Sequence, residues 1–337
     1  MMKQKTRHLL VDVNNIMFRA RYGVENSDNP DDIVGMCKHV FLTMLSKAFN
    51  LFDVDHLVLA VDSGSSWRKE VFPDYKIQRK LKTKPIDKII QRSIIETIDD
   101  MMTFMDTKTN ASVLRCPMVE GDDFIAQWIF AHPDHHHIIL SSDSDYKQLV
   151  NDSVHLYDGM KLTLYTLEGE FLSDGIRPRK GQPVEDYYGK KWKQKLDDAL
   201  KPVVFDPEWL LFEKIMRGDV SDSIPRAAPK GIRTTKLIEA YESGSVTSQP
   251  WLQLMSNIHP DNETVLDKYE RNKELIDLRY PPEPILEAIS EIMAEQMTKQ
   301  PAKQIGFSFL QYCRENGLLN IQKQARYYGK ILGSSYV

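Results

Sequence analysis

Apolar positions along the chain follow two periods in turn, and the alternation marks out the elements. Short unbroken apolar runs of strand length fall at residues 9–13, 56–61, 112–115 and 137–140. Each is Leu-rich or β-branched without polar alternation, the pattern of strands covered on both faces. Between them the period lengthens. After Asp31 and Asp32, whose charges favour a helix N-terminus, Val34, Cys37, Phe41, Met44, Leu45 and Phe49 mark one helical face. Ile86, Ile90, Ile94, Ile98, Met101 and Met105 mark a second. Strands alternating with helices predict an α/β chain whose mostly parallel central sheet is flanked by helices.

Residues 153–200 break this rhythm. Two short apolar runs around Gly159 read as a hairpin or an antiparallel edge. Gly175, Pro178, Gly181, Pro183 and Gly189, followed by a Lys-rich stretch, read as a surface excursion. Asp206-Pro207 is a helix start, and amphipathic helices follow at 265–278 and 285–297. The pattern divides the chain into a core over 1–205 and a helical region over 206–337.

Composition narrows the class. A chain of 337 residues, 42% hydrophobic and 27% charged, is an ordinary globular one with room for one large core or two smaller ones. Its net charge of −4 does not advertise nucleic-acid binding, but a whole-chain sum hides a basic patch beside an acidic cluster. Cys37, Cys116 and Cys313 share no short spacing, which excludes a disulfide framework and a zinc finger and suits a reducing compartment. No apolar stretch approaches the roughly 20 residues of a membrane span, and no apolar signal core precedes residue 9. A cytoplasmic monomer is expected.

The chemistry lies in carboxylates set where apolar runs end. Asp12 closes His-Leu-Leu-Val-Asp and Asp62 closes Leu-Val-Leu-Ala-Val-Asp. Glu120, Asp122 and Asp123 stand at the start of a helix; Asp143 and Asp145 follow Ile-Ile-Leu-Ser-Ser; Asp219 and Asp222 form Gly-Asp-x-x-Asp. The carboxyl ends of parallel strands are where ligand sites assemble. Any one motif alone reads as a cap or a turn. Together they carry too much like charge to stay ionised without cations, and hard oxygen donors point to Mg²⁺ or Mn²⁺. A basic stretch follows Asp62: Arg68, Lys69, Tyr75, Lys76, Arg79, Lys80, Lys82 and Lys84, interleaved with Trp67 and Phe72, suits phosphate contact and base stacking. Lys230, Arg233 and Lys236 open a further helix with positive charge. The run His135–His137 has no acid or Cys spaced to it and reads as a loop.

In this order the motifs resemble the 5′-nuclease family of flap endonucleases and 5′→3′ exonucleases, most closely its phage ribonuclease H branch. The resemblance covers about residues 8–245 and rests on Phe-Pro-Asp-Tyr-Lys-x-x-Arg, Val-Glu-Gly-Asp-Asp, Ser-Ser-Asp-Ser-Asp-Tyr and Gly-Asp-x-x-Asp-x-Ile-Pro. It implies a PIN-like core, a helical arch within about 64–95, and a helix-hairpin-helix-like helical extension near 218–245. It implies that Asp12, Asp62, Glu120 and Asp122 hold a first Mg²⁺. Asp143, Asp145, Asp219 and Asp222 would hold or orient a second, with Asp123 in support and Mn²⁺ as a substitute. Lys76 and Arg79 would engage the scissile phosphate. Only one glycine of the family's hairpin loop is in place, at Gly231, which argues against a K⁺ site. The implied substrates are DNA and RNA·DNA duplexes with 5′ flaps or ends, and the implied role is primer removal during lagging-strand synthesis. A ribonuclease without flap specificity and a DNA-binding protein without catalysis are the rivals. The tail from Arg326 to Lys330 reads as a contact for a single-strand-binding protein or sliding clamp, or as a packed terminus.

Overall fold

A computed structural model of the chain describes residues 6–23, 29–82, 85–173, 181–187, 190–195, 205–244 and 246–334. Two compact units emerge: residues 1–65, 84–205 and 283–337 form the first, and 66–83 with 206–282 form the second.

The first unit is built on one sheet. Its strands are Arg7–Asp12 (β1), His56–Ala60 (β2), Ser112–Leu114 (β3), His136–Leu140 (β4), Val154–Asp158 (β5), Thr163–Thr166 (β6), Gly169–Ser173 (β7), Gly181–Tyr187 (β8) and Lys190–Lys195 (β9). They lie in the order β3-β2-β1-β4-β5-β6-β7-β9-β8. The first five neighbours are parallel, and the rest extend the sheet antiparallel. The four apolar runs are thus the neighbouring parallel strands β3, β2, β1 and β4, largely buried as their apolar pattern requires. The stretch 181–195, expected as an irregular excursion, forms the outer pair of strands. Pro183 falls in β8, the edge strand, where Pro is tolerated, while the Lys-rich β9 lies between β7 and β8 and carries little apolar signal.

Long helices Pro30–Leu51 and Pro85–Lys108 cover the sheet. Asn29 caps the first with its side chain, and Pro30 sits in its first turn. Helices from Glu283 onward were expected with a separate helical region, yet they belong to this unit. Phe309, Tyr312, Cys313 and Tyr328 are buried in the same core as Phe41, Leu45, Ile94 and Met101. Within the 326–330 run Tyr328 is buried, donating from its hydroxyl to the Leu42 carbonyl at 3.2 Å, while Arg326, Tyr327 and Lys330 are exposed.

The second unit is helical. Its longer helices are Pro207–Arg217, Thr234–Glu242 and Val265–Ile276. Asp206 caps the first, accepting from the Trp209 amide at 3.0 Å. One core gathers Phe212, Met216, Leu237, Met255 and Val265; a second gathers Tyr75, Leu211, Ile215, Ile224, Leu275 and Ile276. Tyr75 is therefore what draws the 66–83 segment, expected with the nuclease core, into this unit.

Candidate active site

Strand register sets the acidic edge of the first unit. Asp12 ends β1 level with Ala60 of β2, and Val11 is level with Leu140 of β4. Asp62 lies two residues beyond Ala60, and Asp143 three beyond Leu140, so parallel strands deliver all three to one edge. Glu120 precedes the Gly121–Ala131 helix, entered from the neighbouring β3.

Short polar contacts fix each carboxylate. Asp12 accepts from the Asn15 amide at 3.1 Å, the Ser141 hydroxyl at 2.9 Å and the Tyr146 hydroxyl at 3.2 Å. Asp62 Oδ1 accepts the Gly121 amide at 2.7 Å. Asn14 and Asn15 tie the loops together: Asn14 Oδ1 takes the Asp62 amide at 3.0 Å, and Asn15 Oδ1 takes the Ser142 amide at 3.1 Å. Asp143 Oδ1 accepts from the Asp145 amide at 3.0 Å. Asp123 is fully buried and accepts the Glu120 amide at 3.2 Å, the work of a helix cap.

The electrostatics record how close these groups are. Burial, then the charges of Asp62 and Asp143, push the Asp12 carboxyl up to about 7. Burial, together with Asp12, Asp122, Asp143 and Asp62, raises the Tyr146 hydroxyl well above its ordinary value. All the donors are hard oxygens, as Mg²⁺ or Mn²⁺ requires, and their mutual repulsion is what a cation would relieve. Among the described residues, no three His, Cys, Asp or Glu side chains are grouped tightly enough to hold one ion as they stand.

The second unit carries the other predicted groups. Asp219 organises a turn: its Oδ1 accepts from Ser221 Oγ at 2.7 Å, the Ser221 amide at 2.7 Å and the Asp222 amide at 3.2 Å. Burial pushes its carboxyl up, but the Lys214 ammonium at 2.8 Å and the Ser221 contacts outweigh this and hold it at about 2. Asp222 meets the basic pair. It is ion-paired with Arg79, accepts from the Tyr75 hydroxyl at 3.2 Å and lies 4.0 Å from the Lys76 ammonium. The Lys76 amide donates to the Asp222 carbonyl at 2.7 Å, and Lys76 itself is left-handed at φ 59°.

Two expectations for this stretch are corrected. Arg68, expected to touch nucleic acid, is 1% exposed; its Nε donates to the Leu275 carbonyl at 2.9 Å, and its guanidinium lies over Trp67. Trp67 and Tyr75, expected to stack bases, are buried too. Interleaved aromatics read equally as stacking platforms or as core, and here the core claims them. Lys69 is half-buried, whereas Lys230, Arg233 and Lys236 are exposed, Lys236 pairing with Glu239. The side chains of Lys80 and Lys82, and all of Lys84, lie outside the described residues.

The supporting residues Asn14, Asn15, Ser141, Ser142 and Tyr146 were not anticipated. The Asn pair one residue beyond Asp12 was the available signal. His137 enters β4 as the 137–140 run predicts, His136 joins that strand rather than a loop, and His137, His135, His132 and His56 surround His8 with ring centroids 4.8–5.7 Å away.

Acidic groups on the carboxyl edge of a parallel sheet make a candidate ligand site, and sequence and fold comparisons narrow it. Residues 7–173 match the family of the 5′-3′ exonuclease N-terminal resolvase-like domain. Over those residues the chain is similar to the 5′-nuclease family. It is 28% identical over 155 residues to flap endonuclease Xni of Psychromonas ingrahamii, a match covering 44% of this chain and 55% of that protein. The chain thus spans about half the length of that curated relative. Its fold resembles the bacteriophage T5 D15 protein crystallised with metal ions, at TM-score 0.58 and 19% identity, over 86% of this chain and 99% of that one. A complex of T5 D15 flap endonuclease with DNA and metal ions aligns over the same shares at TM-score 0.56 and 18% identity. No helix among the described residues is long and apolar enough to cross a membrane.

Proposed function

We propose that this chain is a divalent-metal-dependent 5′ nuclease. It hydrolyses DNA and RNA·DNA duplexes from 5′ ends and at 5′ flaps, and its cellular task is RNA-primer removal during phage lagging-strand replication. The observation that carries the reading is the register that sets Asp12, Asp62 and Asp143 on one sheet edge, where their charges raise the Asp12 carboxyl.

The donor set fits Mg²⁺, with Mn²⁺ as the substitute. Asp12, Asp62, Glu120 and Asp122 would hold one ion, and Asp143 and Asp145 a second, with Asp123 steadying the Glu120 backbone. When bound, such a pair supplies an activated water and neutralises charge on the leaving 3′ oxygen. The chain's own work is placement. Asn14 and Asn15 hold the loops that carry Asp62 and Asp143. Lys76 and Arg79 contact the scissile phosphate and offset charge that develops on it. Asp219 and Asp222, which pair here with Lys214 and Arg79, would help to orient the second ion. Lys230, Arg233 and Lys236 hold duplex phosphates, whose contacts weaken with salt.

The reading is tested with a 5′-labelled flap duplex, a recessed RNA·DNA hybrid and an unpaired strand of one sequence, in Mg²⁺ and in EDTA. Mg²⁺-dependent cutting of the first two and not the third supports it. Equal cutting of the unpaired strand favours a ribonuclease without flap specificity, and tight binding with no cutting favours a non-catalytic DNA-binding protein.

A further inference from the structure

The segment bearing Lys76 and Arg79 is fastened to the 218–225 turn at points that the charges alone do not explain. The Lys76 amide donates to the Asp222 carbonyl at 2.7 Å, and Arg79 Nε donates to the Ser221 carbonyl at 3.2 Å. Between these, the Gln78 amide donates to Ser223 Oγ at 3.1 Å. Gln78 lies in the first turn of the Ile77–Lys82 helix, where amides have no partner within the helix. Ser223 therefore caps that helix from a distant part of the chain. It does so from the left-handed region, at φ 64°, which few residue types other than Gly, Asn and Asp adopt readily. Backbone held in such a conformation away from glycine marks a position that its surroundings over-determine.

The turn beneath is rigid. Asp219 and Ile224 exchange both backbone hydrogen bonds, at 3.0 and 2.8 Å. Gly218 sits at φ 71°, where a Cβ would fall 2.5 Å from the Ile224 carbonyl oxygen. The Ser223 hydroxyl is thus presented by a framework with little freedom of its own.

We propose that Ser223 is a positioning residue: its hydroxyl fixes the start of the Ile77–Lys82 helix and so aims the Arg79 guanidinium at the transferring phosphate. This rests on the reading of Lys76 and Arg79 given above. Ser223 touches no reacting atom; it acts through Gln78 and Arg79. Loss of aim is felt in the chemical step more than in binding, because the phosphate contact strengthens as charge develops.

The test is single-turnover flap cleavage, with the substrate Kd and the melting temperature, for the wild type, Ser223→Ala, Ser223→Asn, Arg79→Ala and the Ser223→Ala/Arg79→Ala double variant. Ser223→Ala should slow cleavage roughly 5- to 10-fold, the weight of one neutral hydrogen bond, with Kd and melting temperature nearly unchanged. Ser223→Asn, which keeps an acceptor and tolerates left-handed backbone, should recover most of the rate. In the Arg79→Ala background Ser223→Ala should cost almost nothing more, because coupled residues are non-additive. A slow Arg79→Ala beside a Ser223→Ala at the wild-type rate overturns the positioning role alone. An Arg79→Ala at the wild-type rate overturns the basic-pair reading and, with it, the role of Ser223. A Ser223→Ala loss that follows the melting temperature and is not recovered by Asn makes the residue merely structural and also overturns the proposal.

Discussion

The Gly121 amide donates to Asp62 Oδ1 at 2.7 Å, joining the start of a helix to the carboxylate that follows β2. That closeness leaves little slack: a Cβ on Gly121 would be in ordinary contact with the Ala60 carbonyl oxygen at 3.5 Å but tight against Asp62 Oδ1 at 3.2 Å. Gly121→Ala therefore sets two effects against each other. Ala gains less than the roughly 1 kcal/mol it holds over Gly in a helix interior, because Gly121 is the first helical residue, whereas the Asp62 carboxylate must give by a few tenths of an ångström. The expected outcome is a melting temperature near that of the wild type with nuclease activity down on the order of 10-fold or more, since a small misplacement at a reacting centre is costly. Thermal unfolding and cleavage rates measured side by side check it.

Asp12 predicts a gain of stability on loss of function. Its carboxyl is raised from 3.8 to about 7 by burial and by Asp62 and Asp143. The fold thus favours the protonated form, so ionisation costs stability progressively as pH rises from about 4 to about 7, and the full cost stands above that. Asp12→Asn stays neutral, and the Ser141 and Tyr146 hydroxyls can rotate to accept its amide. In EDTA the variant should melt above the wild type at pH 8, with the gap closing towards pH 5. Mg²⁺ should raise the wild-type melting temperature and leave the variant's unchanged. A gap independent of pH would contradict the electrostatic account.

The imidazoles around His8 predict acid lability. Trp128 Nε1 donates to His8 Nδ1 at 2.9 Å, which requires a neutral His8 ring, and His137 Nε2 donates to the His132 carbonyl at 2.9 Å. Burial chiefly, with neighbouring His charges, lowers His56 to about 3 and His137 to about 4, and lowers His8 further still. The unfolded chain therefore binds more protons below pH 6.5. Stability is fully present above pH 6.5 and falls as pH drops towards 4, by up to about 1.4 kcal/mol per pH unit for each group. Denaturant unfolding across that range measures the slope. His137→Gln should flatten it; a slope unchanged by the variant would count against the cluster as its source.

Gly218 predicts a purely structural loss. At φ 71°, with carbonyl oxygens 2.5 and 2.6 Å from any Cβ, Gly218→Ala should cost at least about 2 kcal/mol in the second unit. Hydrogen exchange of the Pro207–Arg217 and Val265–Ile276 helices reads this directly.

The legible parts of the chain are those where short-range pattern and final environment agree. β1, β2 and β4 are unbroken apolar runs because neighbours cover both faces, and their terminal acids announce the edge on which they end. Other features depend on partners far along the chain. Arg68 and Tyr75 sit in a basic run that has the composition of a surface, but Leu275 and Asp222, some 207 and 147 residues away, bury them. The β8 and β9 strands at the far end of the sheet carry Pro and Lys in place of an apolar run. The helices after Glu283 join the first core through Phe309 and Tyr328, a pairing with Phe41 and Leu45 that no local period encodes. Of the site itself, the strand-end positions of Asp12, Asp62 and Asp143 were readable, while Asn14, Asn15 and Ser141 were not, since their value lies in contacts across loops.

The measurement that bears most directly on the central claim is single-turnover cleavage of a 5′-flap duplex across a Mg²⁺ titration, for the wild type and Asp62→Asn, with flap binding followed in parallel. The account predicts no cleavage in EDTA, a rate that rises with Mg²⁺, and an Asp62→Asn protein that binds the flap normally but cuts at least ~10²-fold more slowly. Cleavage that persists in EDTA, or an Asp62→Asn variant that cuts at the wild-type rate, would contradict it.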